Sequence, residues 1–250
     1  MRFGQYGKHG SLTRRATRAL VESRVAEGAV QPDMNLEQAR HNMVEQQIRT
    51  WEVLDQEVLD LLYAVPREEF VPAPYRNLAF SDLEIPLGEG ERMWPPKMEA
   101  RVLQELAVQR TERVLEVGTG SGYFTALLAH RAAHVYTVEI RPALAELGRA
   151  NLSRHGRDNV TAEISDGAHG NPKWGPYDVV VLTGSTPLVP QSLLDSLAPG
   201  GRLFAVVGDA PAMAARIHTC VAPGAVRSVD LFETVIAPLA NCAHPSRFKF

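Results

Sequence analysis

The stretch that most constrains the fold is a short apolar run, Arg113–Val117. It passes directly into Gly118-Thr119-Gly120-Ser121-Gly122 and then into a helical pattern through Phe124, Leu127 and Leu128. A chain turns this sharply where glycine removes the Cβ, and the main-chain N–H groups opening the next helix are then accessible to a ligand. Glu139 closes the following strand-like run, Val135–Val138, 21 residues after Gly118. At that spacing a carboxylate can accept hydrogen bonds from ribose hydroxyls. A glycine loop alone would be a structural turn. Strand, loop, helix, strand and acid in this order point to a nucleotide-type ligand.

The loop also narrows the choice of nucleotide. Gly122 falls one place early, and Tyr123 stands where a dinucleotide fingerprint has its third glycine. The Gly-Lys-Ser/Thr ending of a phosphate loop is absent. Glu116, two residues before Gly118, puts an acid beside the loop. That charge repels a pyrophosphate and suits a sulfonium and a cationic amino-acid group. S-adenosyl-L-methionine fits this pattern.

Around the loop, helix-like and strand-like runs alternate. Met98, Val102, Leu103 and Leu106 give one apolar helical face, and Pro142 opens a helix that reaches His155. Val160–Ile164, Asp178–Thr183 and Arg202–Val207 are further short strands, with Arg202–Val207 read as core. The alternation predicts a doubly wound α/β fold with a mainly parallel sheet covered on both faces. Ile217–Val221, the turn at Pro223-Gly224 and Arg227–Ile236 predict an antiparallel C-terminal strand pair. Ahead of the core, Leu36, Ala39, Met43, Val44, Gln47 and Ile48, then Val53, Val58, Leu61 and Leu62, recur at helical spacing. Prolines from Pro66 to Pro96 mark a loop-rich stretch. Residues 34–97 are therefore expected as a helical and irregular layer, and 98–250 as the cofactor-binding core of the same domain.

Charge separates the first residues from the rest. Of 26 Lys and Arg and 29 Asp and Glu in 250 residues, residues 1–33 hold six bases and three acids. That leaves +3 there and −6 on the remainder, from 20 basic and 26 acidic groups. The expectation is a flexible basic extension over 1–33, with organised sequence starting at Met34. An acidic main domain is not the footprint of a nucleic-acid binder. No apolar run approaches the roughly 18 residues of a membrane span. Two cysteines, Cys220 and Cys242, are too few for a disulfide framework, so a cytoplasmic setting is expected.

Val114-Leu115-Glu116-Val117-Gly118-Thr119-Gly120-Ser121-Gly122-Tyr123 resembles the first motif of class I methyltransferases, in the form found in protein-L-isoaspartate O-methyltransferases. Met43–Ile48, Val65–Pro72 and Ile85–Gly90 resemble that family's amino-terminal segments. Asp166-Gly167, Tyr177–Thr183, Leu197–Leu203 and Ile236–Leu239 resemble its later ones, so the likeness spans about residues 35–239. The resemblance implies a seven-stranded class I methyltransferase fold and a monomer. It implies methylation of the carboxylate of isoaspartyl residues in damaged proteins, with S-adenosyl-L-methionine as methyl donor. It also implies that Glu116 and the loop Gly118, Thr119, Gly120, Ser121 and Gly122 hold the methionine part. Glu139 would hold the ribose, and Asp166 and Gly167 would meet the adenine edge. Thr183, Ile236, Ala237, Pro238 and Leu239 would lie on the substrate side, the last four along a bound peptide.

The sequence departs from the family at one place. The family's Gly-x-Gly stretch ends in Ser-x-Pro, whose serine contacts the reacting carboxylate. Here Gly88–Pro96 puts Trp94 at that serine and Pro95 after it. An indole N–H donates one hydrogen bond and accepts none, and its bulk reshapes a pocket. The alternatives are therefore a different carboxylate, peptide or small-molecule acceptor, or a silent cofactor-binding protein. No general base is expected, because a carboxylate is already ionised at neutral pH. Other constellations are weaker. His130 and His134 are four apart, but Arg131 stands where a zinc protease motif has Glu. His169 reads as a loop residue and Cys220 as core. Cys242 and His244 lack a third ligand nearby, and Ser121 and Ser185 lack a nucleophile-elbow context.

Overall fold

The computed structural model describes residues 35–244. The basic extension expected over 1–33 and the start expected at Met34 lie outside the described residues. A small antiparallel hairpin comes first, β1 (Ile85–Gly88) and β2 (Glu91–Met93). The main sheet follows with β3 (Arg113–Val117), β4 (His134–Glu139), β5 (Val160–Ile164), β6 (Tyr177–Thr186), β7 (Leu197–Asp209), β8 (Ala212–Ala222) and β9 (Ala225–Glu233). Its spatial order is β5-β4-β3-β6-β7-β8-β9. The five strands from β5 to β7 run parallel, and β8 and β9 are antiparallel additions.

Successive residues of the central strands serve opposite faces, which is why both must be covered. Val114, Val179, Val181, Phe204 and Val206 join an apolar cluster with the amino-terminal helices. Their neighbours Leu115, Val117, Val180, Leu182, Leu203 and Ala205 form a second cluster on the other side. The first layer is made by α1 (Leu36–Met43), α2 (Gln56–Ala64), α3 (Pro96–Leu106) and α4 (Tyr123–Arg131). Asn35 and Asp55 start α1 and α2 by accepting backbone N–H bonds from Gln38, and from Glu57 and Val58. α5 (Pro142–Arg154) has its proline at the first position, where no N–H is needed, and α6 (Gln191–Asp195) is a short turn before β7.

The chain leaves β3 outward through β4 and β5, then returns to place β6 on the other side of β3. Such a reversal opens a crevice at the carboxyl ends of the strands. Two sequence readings shift. The proline-rich stretch contains the β1–β2 hairpin, turned through Glu89 and Gly90 at φ +53° and +83°. Strands of four and three residues carry too little alternation to announce themselves. The final strand stops at Glu233, so Ile236 lies beyond it. There the chain turns aside to meet the end of β6, where Ser185 bridges Pro238.

Candidate active site

The crevice is a pocket walled by the glycine loop, the ends of β4 and β6, the β1–β2 hairpin and the segment from Ile236 to Ala240. Gly118, Gly120 and Gly122 all have positive φ, at +102°, +53° and +80°. At Gly118 the requirement is also steric. The Thr183 hydroxyl donates to Val117 O at 2.8 Å and to Gly118 O at 2.9 Å, filling the space a Cβ would take. Behind the loop, Asn151 of α5 donates to Ser121 O at 2.9 Å. The Thr119 and Thr137 hydroxyls meet at 2.7 Å. The loop is thus fixed before any ligand arrives.

Glu139 lines the pocket and is nearly buried, accepting from Gly120 N at 3.0 Å and Arg141 N at 3.1 Å. Each carboxylate oxygen has a second acceptor site, which leaves capacity for two ribose hydroxyls. Asp166 lines the same end, its oxygens accepting from Ala168 N and Asn241 Nδ2 at 2.9 and 2.8 Å. Gly167 is there because a Cβ would come within 2.5 Å of Val138 Cγ2 and 2.8 Å of Val117 Cγ1. The Asp166-Gly167 turn and a pocket wall are therefore one feature.

The same pocket is also lined by Met93, Trp94, Glu99, Phe124, Thr183 and Ile236–Leu239. Trp94 is buried, its ring 5.6 Å from Phe124 and 6.3 Å from Phe204. The indole is both core and pocket wall. Its carbonyl accepts from Arg67 Nη2 at 2.7 Å, while Arg67 Nε donates to Ala79 O at 2.8 Å and Nη1 pairs with Glu99. Ile236–Leu239 is held to β6 by Ser185, which donates its N–H to Ala237 O at 2.8 Å and its hydroxyl to Ile236 O at 3.2 Å. Leu239 N donates back to Ser185 O at 2.9 Å.

Three sequence-nominated residues do not reach the pocket wall. Pro95 precedes α3, Gly122 caps α4 from behind the loop, and Glu116 lies under the loop. Glu116 Oε2 accepts from the Thr125 and Thr137 hydroxyls at 2.5 and 2.7 Å, and Oε1 has no partner. Burial pushes its carboxyl up to about 8, against those two hydroxyl bonds and with a further push from Glu139. Sequence reasoning missed Glu99 and Arg67, both fully buried. For Glu99 a signal existed: it sits one turn before Val102 and Leu103 on the apolar face of α3. Burial pushes its carboxyl up to about 8 as well, opposed by Arg67 and reinforced by Glu116. Arg67 carried no such signal within its proline-flanked turn. Also unforeseen is the ion pair of Arg141 with Glu91, which ties the hairpin to the end of β4. His134 bonds Thr161 at 2.9 Å within the sheet, and among the described residues no three potential metal ligands gather.

The family described as protein-L-isoaspartate (D-aspartate) O-methyltransferase matches residues 38–236 of this chain. The chain belongs to that family. Among curated members, the Methanoculleus marisnigri protein-L-isoaspartate O-methyltransferase is 43% identical over 169 residues, covering 68% of this chain and 77% of that protein. The Roseiflexus castenholzii enzyme of the same name is 41% identical, covering 70% and 80%. A solved protein-L-isoaspartate O-methyltransferase shares the fold with a TM-score of 0.71 at 24% identity, over 81% of this chain and 66% of that one. A Plasmodium falciparum structure described under the same family name, in complex with S-adenosyl-L-homocysteine, gives 0.70 at 20% identity, over 80% of this chain and 97% of that one. The family match takes in the glycine loop, Glu139, Asp166 and the stretch carrying Trp94.

Proposed function

We propose that this chain is an S-adenosyl-L-methionine-dependent methyltransferase that esterifies the carboxylate of isoaspartyl residues in damaged proteins or peptides. Within the family frame, the observation that carries this reading is the form of the pocket. It brings acids suited to an adenosine, Glu139 and Asp166, into one cavity with Trp94 and the Ile236–Leu239 segment. The residues fit the cofactor: Glu139 retains free acceptor sites for the ribose, and the loop Gly118–Gly122 is preformed with the Glu116 carboxyl buried beneath it. When bound, that cofactor supplies an electrophilic methyl group on a positively charged sulfur.

The chain's own contribution is alignment and exclusion of water. A substrate carboxylate is ionised at neutral pH, so no side chain has to remove a proton. Trp94, Phe124 and Ile236 strip water from the acceptor, which raises its nucleophilicity, and the Ile236–Leu239 wall orients it. A methyl ester beside a peptide N–H is prone to succinimide closure, the first step back toward a normal linkage. Within one domain, residues 34–97 serve as the substrate-side layer and 98–250 as the cofactor core. A protein or peptide is the partner, with no role for nucleic acid or a membrane; among the described residues no helix is long and apolar enough to cross one. The chain acts as a monomer in the cytoplasm, a setting that Cys220 and Cys242, both free, suit.

The test is methyl transfer from labelled S-adenosyl-L-methionine to two peptides that differ only in isoaspartate or aspartate. Base-labile label on the isoaspartyl peptide alone is the expected result. Label on the aspartyl peptide alone would move the acceptor to another carboxylate, as the Trp94 wall would then require. Label on neither, from folded protein that binds the cofactor, would sink the isoaspartyl assignment.

A further inference from the structure

Under the acceptor end of the pocket lies a group of charges that do not cancel. Glu99 on α3 forms part of the wall, and Glu116 on β3 sits beneath the loop, at 2% and 0% exposure. One guanidinium, Arg67, pairs with Glu99, and Glu116 acts on Glu99 as a like charge. The other titratable groups packed around do not supply a second positive charge. Tyr123 of α4 lies under the Arg67 guanidinium, its hydroxyl without a partner and its ionisation pushed up by burial. Glu139 of β4 adds a negative charge, already tied to two backbone N–H groups. Glu68, beside Arg67, is matched by Arg40 of α1.

With every acid ionised, the inner trio would therefore hold two negative charges against one positive charge in a buried site. A buried carboxylate oxygen with no donor, such as Glu116 Oε1, is a costly arrangement. It is relieved either by a proton or by a second cation. S-adenosyl-L-methionine and S-adenosyl-L-homocysteine differ by one methyl group and one positive charge, so only the first brings that cation.

We propose that Glu99 and Glu116 make this pocket distinguish the sulfonium cofactor from its thioether product by charge, releasing a proton when the sulfonium enters and regaining it once the methyl has gone. The inference rests on the cofactor reading above. The accounting closes. The S–CH3 bond breaks with its electron pair left on sulfur, and an O–CH3 bond forms on the acceptor carboxylate. The acceptor's negative charge and the sulfur's positive charge vanish together, and one proton from solvent restores the free acid pair. The proton belongs to the pair, since the two carboxyls feel one another.

The experiment is calorimetric titration of the full chain with each of the two ligands, in buffers of different ionisation heat, from pH 6 to 9. The ligands share every other titratable group, so their difference isolates the sulfonium. Near pH 7 the sulfonium should release up to about one proton more than the thioether. Its relative affinity should rise by up to about tenfold per pH unit and level off near the point where both carboxyls are ionised. With both carboxyls removed, Glu99→Gln together with Glu116→Gln should still bind S-adenosyl-L-homocysteine but show a preference that is flat with pH. Equal proton release by both ligands in the unaltered chain overturns the proposal alone, whether or not the variant folds. A doubly substituted Glu99→Gln, Glu116→Gln variant that keeps the original pH dependence overturns it too. Failure of the unaltered chain to bind either ligand overturns the cofactor reading, and this proposal with it.

Discussion

Replacing Gly118 by alanine tests whether the loop is held by backbone conformation or by contact with β6. Gly118 has φ +102°, a region an L-residue enters at a strain of about 1–3 kcal/mol. The new methyl would also overlap Thr183 Oγ1, which bonds Val117 O and Gly118 O at 2.8 and 2.9 Å. Displacing that hydroxyl loses the one hydrogen bond it shares between the two carbonyls, about 0.5–1.5 kcal/mol. Together Gly118→Ala should lower unfolding stability by about 3 kcal/mol, the middle of the summed range. In a Thr183→Ala background the hydroxyl is already gone, so the same change should cost only the backbone strain, about 1–3 kcal/mol. Urea unfolding of the four proteins of this cycle gives both numbers. The reasoning fails if Gly118→Ala is within about 0.5 kcal/mol of the parent, or costs the same in both backgrounds.

Other substitutions probe the rest of the site. Arg67→Ala leaves Glu99 buried without its partner and should cost about 3–5 kcal/mol in denaturant unfolding, a loss that grows as pH rises through about 8, where Glu99 ionises in the parent. Gln104→Ala removes an amide that accepts from Leu54 N and Asp55 N at 2.8 and 3.0 Å and donates to Glu52 O at 3.0 Å. Its loss should destabilise the junction of α2 and α3 by about 1.5–3 kcal/mol, read as an earlier urea midpoint with unchanged slope. Glu116→Gln should change how stability depends on pH. The Glu116 carboxyl titrates at about 8 in the folded chain, against an ordinary value of 4.5. Between these values the folded state holds a proton that the unfolded chain has lost, so the parent is progressively destabilised as pH rises. Glu116→Gln has no such term, and its stability relative to the parent should climb from pH 5 to pH 8. A constant difference across that range would show that Glu116 is ionised throughout in the folded state.

Legibility in the sequence followed the range of the interaction involved. The strand Arg113–Val117, the loop and Glu139 are local patterns, and the structure brings the loop and Glu139 together through the Gly120 N–H. Ile236–Leu239 was legible as a family segment, but its route was not, because three bonds to Ser185, some 50 residues earlier, pull it off the strand path. The hairpin at β1 and β2 left little trace because its stability comes from lying over the crevice, anchored by Arg141 to Glu91. That Trp94 stands at a family serine position is an expectation from the sequence, resting on the resemblance. Only packing against Phe124 and Phe204 shows that it serves as core and wall at once.

What the sequence determined alone is the alternating architecture, the nucleotide-type loop and the acid at its far end. Each rests on residues close along the chain, where glycine freedom and hydrophobic period act directly. The tertiary structure alone decided which charges meet. Arg67, Glu99 and Glu116 come from a turn, a helix and a strand, and nothing in their spacing says that Glu99 meets both a cation and a second buried acid. Burial then sets their chemistry: a carboxyl that would be an ordinary surface acid in the unfolded chain competes for a proton once folding removes the water around it.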